Sequence, residues 1–212
     1  MNEILSLAEL GPRLTIVTKQ QPGRPEVRAK VLRAAFLAAA EAAPGPVKVA
    51  DIARRAEMSP GHVMYYFQRR DRIVAETLLH AERELAVKRD KQLARAVDAG
   101  QALEILVRLY LPTGRADPRW RLWAQLLASA PDDGQTRVDF AGVIDSWADA
   151  LARVVAAGCD QGSMTCEDPV AAAYQACRLM DGYALEVLMG APGRSRTWAV
   201  RSVLDAVRRS LS

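Results

Sequence analysis

The chain has little of what builds covalently stapled or metal-held folds. It carries three cysteines, Cys159, Cys166 and Cys177, in 212 residues. An odd, sparse set is no disulfide framework and fits a reducing compartment, so a cytoplasmic location is expected. Their spacing matches no zinc pattern, and the two histidines, His62 and His80, lie far away in sequence. No metal site and no cofactor are therefore expected. No apolar run approaches about 18 residues, so no membrane-spanning helix is expected. A basic stretch followed by an apolar one, the mark of a secretory signal, is missing from the N-terminus. Gly-rich phosphate loops, nucleophile elbows and metal motifs are also missing, which argues against an enzyme. No segment alternates with period two, so no sheet is expected.

Half of the residues are hydrophobic, enough to bury a core in one large or two small domains. The net charge of +4 is unevenly placed. Residues 13–72 hold 12 Lys/Arg against 5 Asp/Glu, a net +7, and the rest of the chain is at −3. A basic third on a mildly acidic body suggests one end that binds a polyanion.

That basic third contains the stretch Lys48 to Arg72. A short helix carries Val49, Ile52, Ala53 and Ala56 on one side. Glu57-Met58-Ser59 forms a turn. Ser59 is placed to cap a second helix and Pro60 stands at its first position, where a missing N–H costs nothing. Val63 and Phe67, four apart, share one face of that helix. Two short helices around a tight turn are the helix-turn-helix pattern, whose second helix enters the major groove of DNA.

The string DIARRAEMSPGHVMYYFQRRDRI resembles the DNA-binding segment of the TetR family of bacterial transcription regulators. Ile52-Ala53, Ala56, Ser59, Gly61, Tyr65-Tyr66-Phe67 and Ile73 carry the match. Ser-Pro-Gly followed by Tyr-Tyr-Phe looks most like the BetI-type group. Three positions depart from the pattern: Glu57 stands for the usual turn Gly, Lys48 for an N-capping Thr, and Arg70 for a Lys. By position in the motif and by residue type, Lys48, Tyr65, Tyr66 and Arg70 are expected to touch phosphates. Ser59, Pro60, Gly61 and His62 open the reading helix, where base edges are reached.

The rest of the chain reads as helices. Residues 1–22 are expected to be a flexible extension, and Gly23-Arg24-Pro25 is either a plain linker or an arm for the minor groove. A helix over 26–43 stops at Pro44-Gly45-Pro46. A longer one runs from about Arg69 to Ala99, with a break allowed, and links the two halves. Further helices are expected over 101–112, 117–130, 136–158, 168–189 and 194–211. The fold class is thus all-α with about nine helices. A three-helix DNA-binding domain, 23–72, precedes a ligand-binding and dimerisation domain, 73–212.

The resemblance implies a small-molecule pocket in the second half, where Tyr110, Trp120, Trp123, Trp147, Tyr174 and Cys177 are the candidates. A pocket for an organic cation would use such rings by cation–π attraction. An all-round apolar helix at 168–189 must be buried on two sides. Its stripe Ala172, Ala176, Leu179, Tyr183 and Val187, with Val200, Leu204 and Val207 of the last helix, is the expected face of a four-helix dimer bundle. The implied protein is a homodimeric repressor that reads a palindromic operator in double-stranded DNA and releases it when an effector binds. The competing reading is a helical ligand-binding or interaction protein without specific DNA binding.

Overall fold

The computed structural model describes residues 25–41, 45–129 and 134–212. The expected extension over 1–22 and the Gly23-Arg24 part of the arm lie outside these residues. Among the described residues all regular structure is helical: α1 (Pro25–Glu41), α2 (Val49–Arg55), α3 (Pro60–Phe67), α4 (Arg70–Leu93), α5 (Ala99–Tyr110), α6 (Pro118–Ser129), α7 (Gly134–Asp160), α8 (Pro169–Met189) and α9 (Arg196–Ser210). No helix among them is long and apolar enough to cross a membrane.

Local chemistry sets the ends. Ser59, Asp98, Asp168 and Ser195 each accept backbone N–H groups at the start of α3, α5, α8 and α9. These caps satisfy amides that the first helical turn leaves unbonded. Pro60 and Pro169 follow two of them, where proline is already set for a helix. Gly190 ends α8 in the left-handed region at φ 68°, and a Cβ there would also collide with Arg115. The expected long helix to Ala99 stops earlier, at Leu93. The capping carboxylate of Asp98 starts a new helix at Ala99 instead.

Two hydrophobic clusters form. One gathers Val31, Ile52, Val63, Phe67, Ile73 and Leu78 of α1–α4. It also takes Leu122 and Leu126 of α6 and Phe140 of α7. The other gathers α5, α7, α8 and α9 around Leu103, Leu106, Leu151, Met180 and Val203. Helix α4 runs beside both, since Leu85 packs against the second cluster while Ile73 and Leu78 lie in the first. Between the clusters sit buried charges, Glu82, Arg89 and Arg119.

Candidate nucleic-acid interface and the buried charges behind it

The α2–α3 turn is held by short-range bonds. The Met58 amide donates to Ala53 O at 2.9 Å and the Ala56 amide to Ile52 O at 2.9 Å. Ala53 and Ala56 are buried, and their small side chains let the two helices close on each other. Glu57 takes φ 51°, the left-handed conformation that a glycine adopts freely. Its side chain reaches Lys30 Nζ at 3.0 Å across an exposed surface, a contact worth little. The Ser59 Oγ accepts the His62 amide at 3.2 Å. Val63 and Phe67 face inward with no exposed surface.

The opposite face of α3 is open. Gly61 and His62 are exposed, Tyr65 is 76% exposed, and a Cβ on Gly61 would meet nothing. The His62 and Tyr66 rings lie 5.3 Å apart, and Tyr65 meets Tyr66 edge-on at 5.4 Å. Lys48 is exposed at the start of α2 and its side chain caps nothing. The Arg28 guanidinium sits 4.5 Å over the Phe67 ring and donates to Tyr66 O, with a further bond to Glu76. It locks α1 to α3 and α4.

Arg70 is placed otherwise than the motif suggests. Its Nε donates to Val47 O at 2.8 Å, Nη2 to Gln125 Oε1 at 2.8 Å and Nη1 to Asp71 Oδ1 at 3.2 Å. The Gln125 Oε1 also accepts the Val47 amide at 2.9 Å. The guanidinium thus points inward and joins α4, the α1–α2 connection and α6. Arg69 and Arg72 are the exposed cations at this corner. Arg70→Ala is expected to lower stability by about 1–2 kcal/mol through these bonds. The salt dependence of DNA binding should stay unchanged; a slope lower by about one would restore a phosphate role.

Behind the head, the Glu82 carboxylate is gripped from three sides. Arg119 Nη1 lies 3.1 Å from Oε1, the Trp123 indole donates to Oε1 at 2.8 Å, and the Trp147 indole donates to Oε2 at 3.2 Å. The two charged side chains are 4% and 9% exposed. Arg119 also donates to Leu109 O and Tyr110 O in the last turn of α5, and its guanidinium lies 5.3 Å from the Trp120 ring. Trp120 donates to Tyr110 O at 2.9 Å. The Tyr110 hydroxyl donates to Asp181 Oδ1 at 2.6 Å. Burial, then the Asp181 charge, drives the Tyr110 phenol far above its ordinary range. Burial likewise raises Asp181, although the Tyr110 bond and Arg178 pull it back down. Burial first and Asp181 second push the Cys177 thiol up to about 12. On the far side Arg89 covers Trp147 at 5.1 Å and donates to Ser146 O and Oγ.

The six candidate pocket residues therefore separate. Tyr110 meets Trp120 and Trp147 edge-on, at 5.9 and 5.1 Å, with Cys177 nearby in the same buried cluster. Trp123 shares Glu82 but meets Phe140 edge-on at 5.0 Å in the cluster of the first four helices. Tyr174 stands apart, its hydroxyl donating to Asp145 at 2.7 Å on the outer surface. Two open clefts, of about 380 and 400 Å³, are lined by other residues. The first has Phe36, Leu85, Lys88, Leu111 and Arg196 on its walls, the second Gly114, Arg115, Val187 and Arg194.

The expected dimer stripe needs correction. Ala176, Val187, Val200, Leu204 and Val207 are 3–7% exposed and face the protomer's own core. Helix α9 has one apolar stripe, and covering its own α5 and α8 uses it up. Ala172, Leu179 and Tyr183 are half-buried, and Tyr183 lies 4.9 Å from Trp198. The outward face of α8 instead shows Gly182, Leu185 and Met189, the last two 51% and 70% exposed.

Sequence reasoning missed Glu82, Arg119, Arg89 and Asp181. A signal existed for two of them. Glu82 and Arg89 follow Leu78 and Leu85 at helical spacing, so a charge of each sign interrupts the inner stripe of α4.

A family model described as the C-terminal part of BetI-type transcriptional repressors matches residues 99–212. No curated protein matches the chain. Among solved structures, a protein from Saccharomonospora viridis described as a transcriptional regulator, in complex with choline, is 25% identical, with a TM-score of 0.78 over 88% of this chain and 97% of that one. A Rhodococcus protein described as a TetR-family regulator is 22% identical, with a TM-score of 0.70 over 88% and 100%. The FadR regulator of Bacillus subtilis, in complex with stearoyl-CoA, is 15% identical, with a TM-score of 0.69 over 87% and 99%. The match spans more than half of the sequence and the neighbours share the whole fold, and on that footing the chain belongs to the TetR family of DNA-binding transcriptional regulators, in its BetI-type group.

Proposed function

We propose that this regulator is a homodimeric repressor that reads an inverted-repeat operator and leaves it when a small molecule binds its helical body. The observation that carries the reading is α3. Its Ser59 cap, exposed Gly61, His62 and Tyr65, and buried Val63 and Phe67 make a helix with one face for the core and one for the major groove. Pro60 and Gly61 keep its first turn slim, and His62 is the base reader. Lys48, Tyr65 and Tyr66 are the phosphate contacts.

Residues 23–72 form the DNA-binding part and residues 73–212 the effector and pairing part. Outward faces of α8 and α9 pair two copies, with Gly182, Leu185 and Met189 at the seam and Leu179, Tyr183 and Trp198 flanking it. Effector binding is coupled to the head through α4, which starts at the head and carries Glu82 into the group of Tyr110, Trp120, Trp123 and Trp147. The S. viridis neighbour holds choline. In this chain the Glu82 carboxylate beside these rings is already paired with Arg119, so no cationic effector is proposed against Glu82 itself.

The test starts from selection of bound sequences out of random duplex, followed by titration of His62→Ala against single-base operator variants. Loss of discrimination at one symmetric pair of positions supports the reading. Uniform weakening removes His62 as a reader, and absence of any selected sequence removes specific DNA binding. Candidate effectors are then titrated with and without operator, using tryptophan fluorescence. Effector and operator must weaken each other by the same factor, typically about 5–150-fold.

A further inference from the structure

Two of the three thiols meet. Cys159 lies in the last turn of α7 and Cys166 in the connection to α8, and their Sγ atoms are 3.6 Å apart. The approach is built by the turn between them. Gly162 reverses the chain at φ 69°. The Ser163 and Met164 amides donate to Gly158 O at 2.9 and 3.0 Å. Met164 lies directly over Gly158, where a Cβ would collide with its side chain. The Thr165 amide donates to Leu211 O, past the end of α9, at 2.7 Å. Cys166 is thereby carried back to α7 by several independent restraints. Both thiols are half-buried, whereas Cys177 is 1% exposed.

We propose that Cys159 and Cys166 form a modification site, a dithiol that a low-molecular-weight disulfide converts reversibly into an intrachain disulfide tying the end of α7 to the lead into α8. One cysteine, as its thiolate, attacks the small disulfide, displaces one small thiolate and becomes a mixed disulfide. The other cysteine, as its thiolate, attacks the protein sulfur of that mixed disulfide and displaces the second small thiolate. Two protein thiols are oxidised, one small disulfide is reduced to two thiols, and the two cysteine protons end on those thiols. The sulfurs need only close by about 1.5 Å to reach bonding distance. Because the second step is intramolecular, the mixed disulfide should not accumulate. Burial, with Cys159 and Asp168 beside it, holds the Cys166 thiol above its ordinary range.

The full-length protein is incubated with oxidised glutathione, unfolded in iodoacetamide and analysed by mass spectrometry. The expected product has lost about two mass units, carries one alkylated cysteine, Cys177, and yields a Cys159–Cys166 linked peptide. Its melting temperature should rise by about 5 °C, since a short loop of the unfolded chain is closed. Cys159→Ser and Cys166→Ser should each give a lasting glutathione adduct on the remaining thiol, while Cys177→Ser should behave as the parent. Circular dichroism on each variant checks that it is folded. Three alkylated cysteines after treatment, a lasting adduct on the parent protein, or a link through Cys177 would each overturn the proposal.

Discussion

Replacing Arg119 by leucine is expected to destabilise the protein by about 3–5 kcal/mol, enough to lower its melting temperature by about 7–11 °C. The pair it forms with Glu82 is 4% and 9% exposed, so removing the cation strands a carboxylate among rings. Two indole N–H groups still reach Glu82, but they neutralise no charge. The same change frees Leu109 O and Tyr110 O at the end of α5, leaving only the Trp120 indole on the second. Each buried carbonyl left without a donor adds to the loss. Arg178→Leu is the control, because its contact with Asp181 is long, at 3.8 Å, and half-exposed; it should cost less than about 1 kcal/mol. Chemical denaturation of the two variants side by side decides the matter. Equal losses would mean that the Glu82 group is replaceable packing rather than a charge-matched junction of α4, α6 and α7.

The second large effect is expected on DNA. Under the pairing proposed above, Leu185→Glu should leave the protomer folded, since Leu185 is 51% exposed, yet yield a monomer. Gly182→Glu should do the same, because a Cβ at that position meets nothing in the protomer. A single head holds one half-site, so operator affinity should fall by about 10²–10⁴-fold as bivalent binding is lost. Sedimentation and operator titration on the same samples test both halves of the expectation. Val187→Glu is the contrast. Val187 is 3% exposed in its own core, so a charge there should unfold the protomer instead of yielding a folded monomer. If Leu185→Glu remains a dimer with full operator affinity, the pairing surface lies elsewhere.

The helices were legible because each carries a sign of its own. Caps at Ser59 and Asp168, prolines after them, and 3.6-residue apolar spacing mark starts and faces. The cap and the two faces of α3 were legible residue by residue, since a local motif fixes local geometry. Long-range placement was not. Arg70 fits a phosphate contact by its position in the motif, and only the fold brings Val47 O and Gln125 within its reach. The pairing stripe was misread for a related reason. A helix apolar on both sides offers two candidate inner faces, and periodicity does not say which one meets its own chain. The buried charges left a faint trace in α4, but their partners come from α6 and α7, dozens of residues away. Nor does spacing foretell that a seven-residue separation brings two sulfurs together, since that depends on the turn at Gly162.

The sharing of one apolar cluster between the first four helices and α6 and α7 bears on modularity. Leu122, Leu126 and Phe140 belong to the same cluster as Val31, Ile73 and Leu78, and α6 packs directly on α1 and α4. A fragment ending near residue 72 would therefore expose the surface those three side chains cover. Recombining this head with the body of a relative is a problem of matching two surfaces, not of choosing a linker. Chimeras joined within α4 should express as soluble dimers only when the incoming α6 and α7 supply side chains of similar volume at those three places. By that constraint the exposed face of α3 is not exchanged alone, because α1 and α4 beside it are packed against α6.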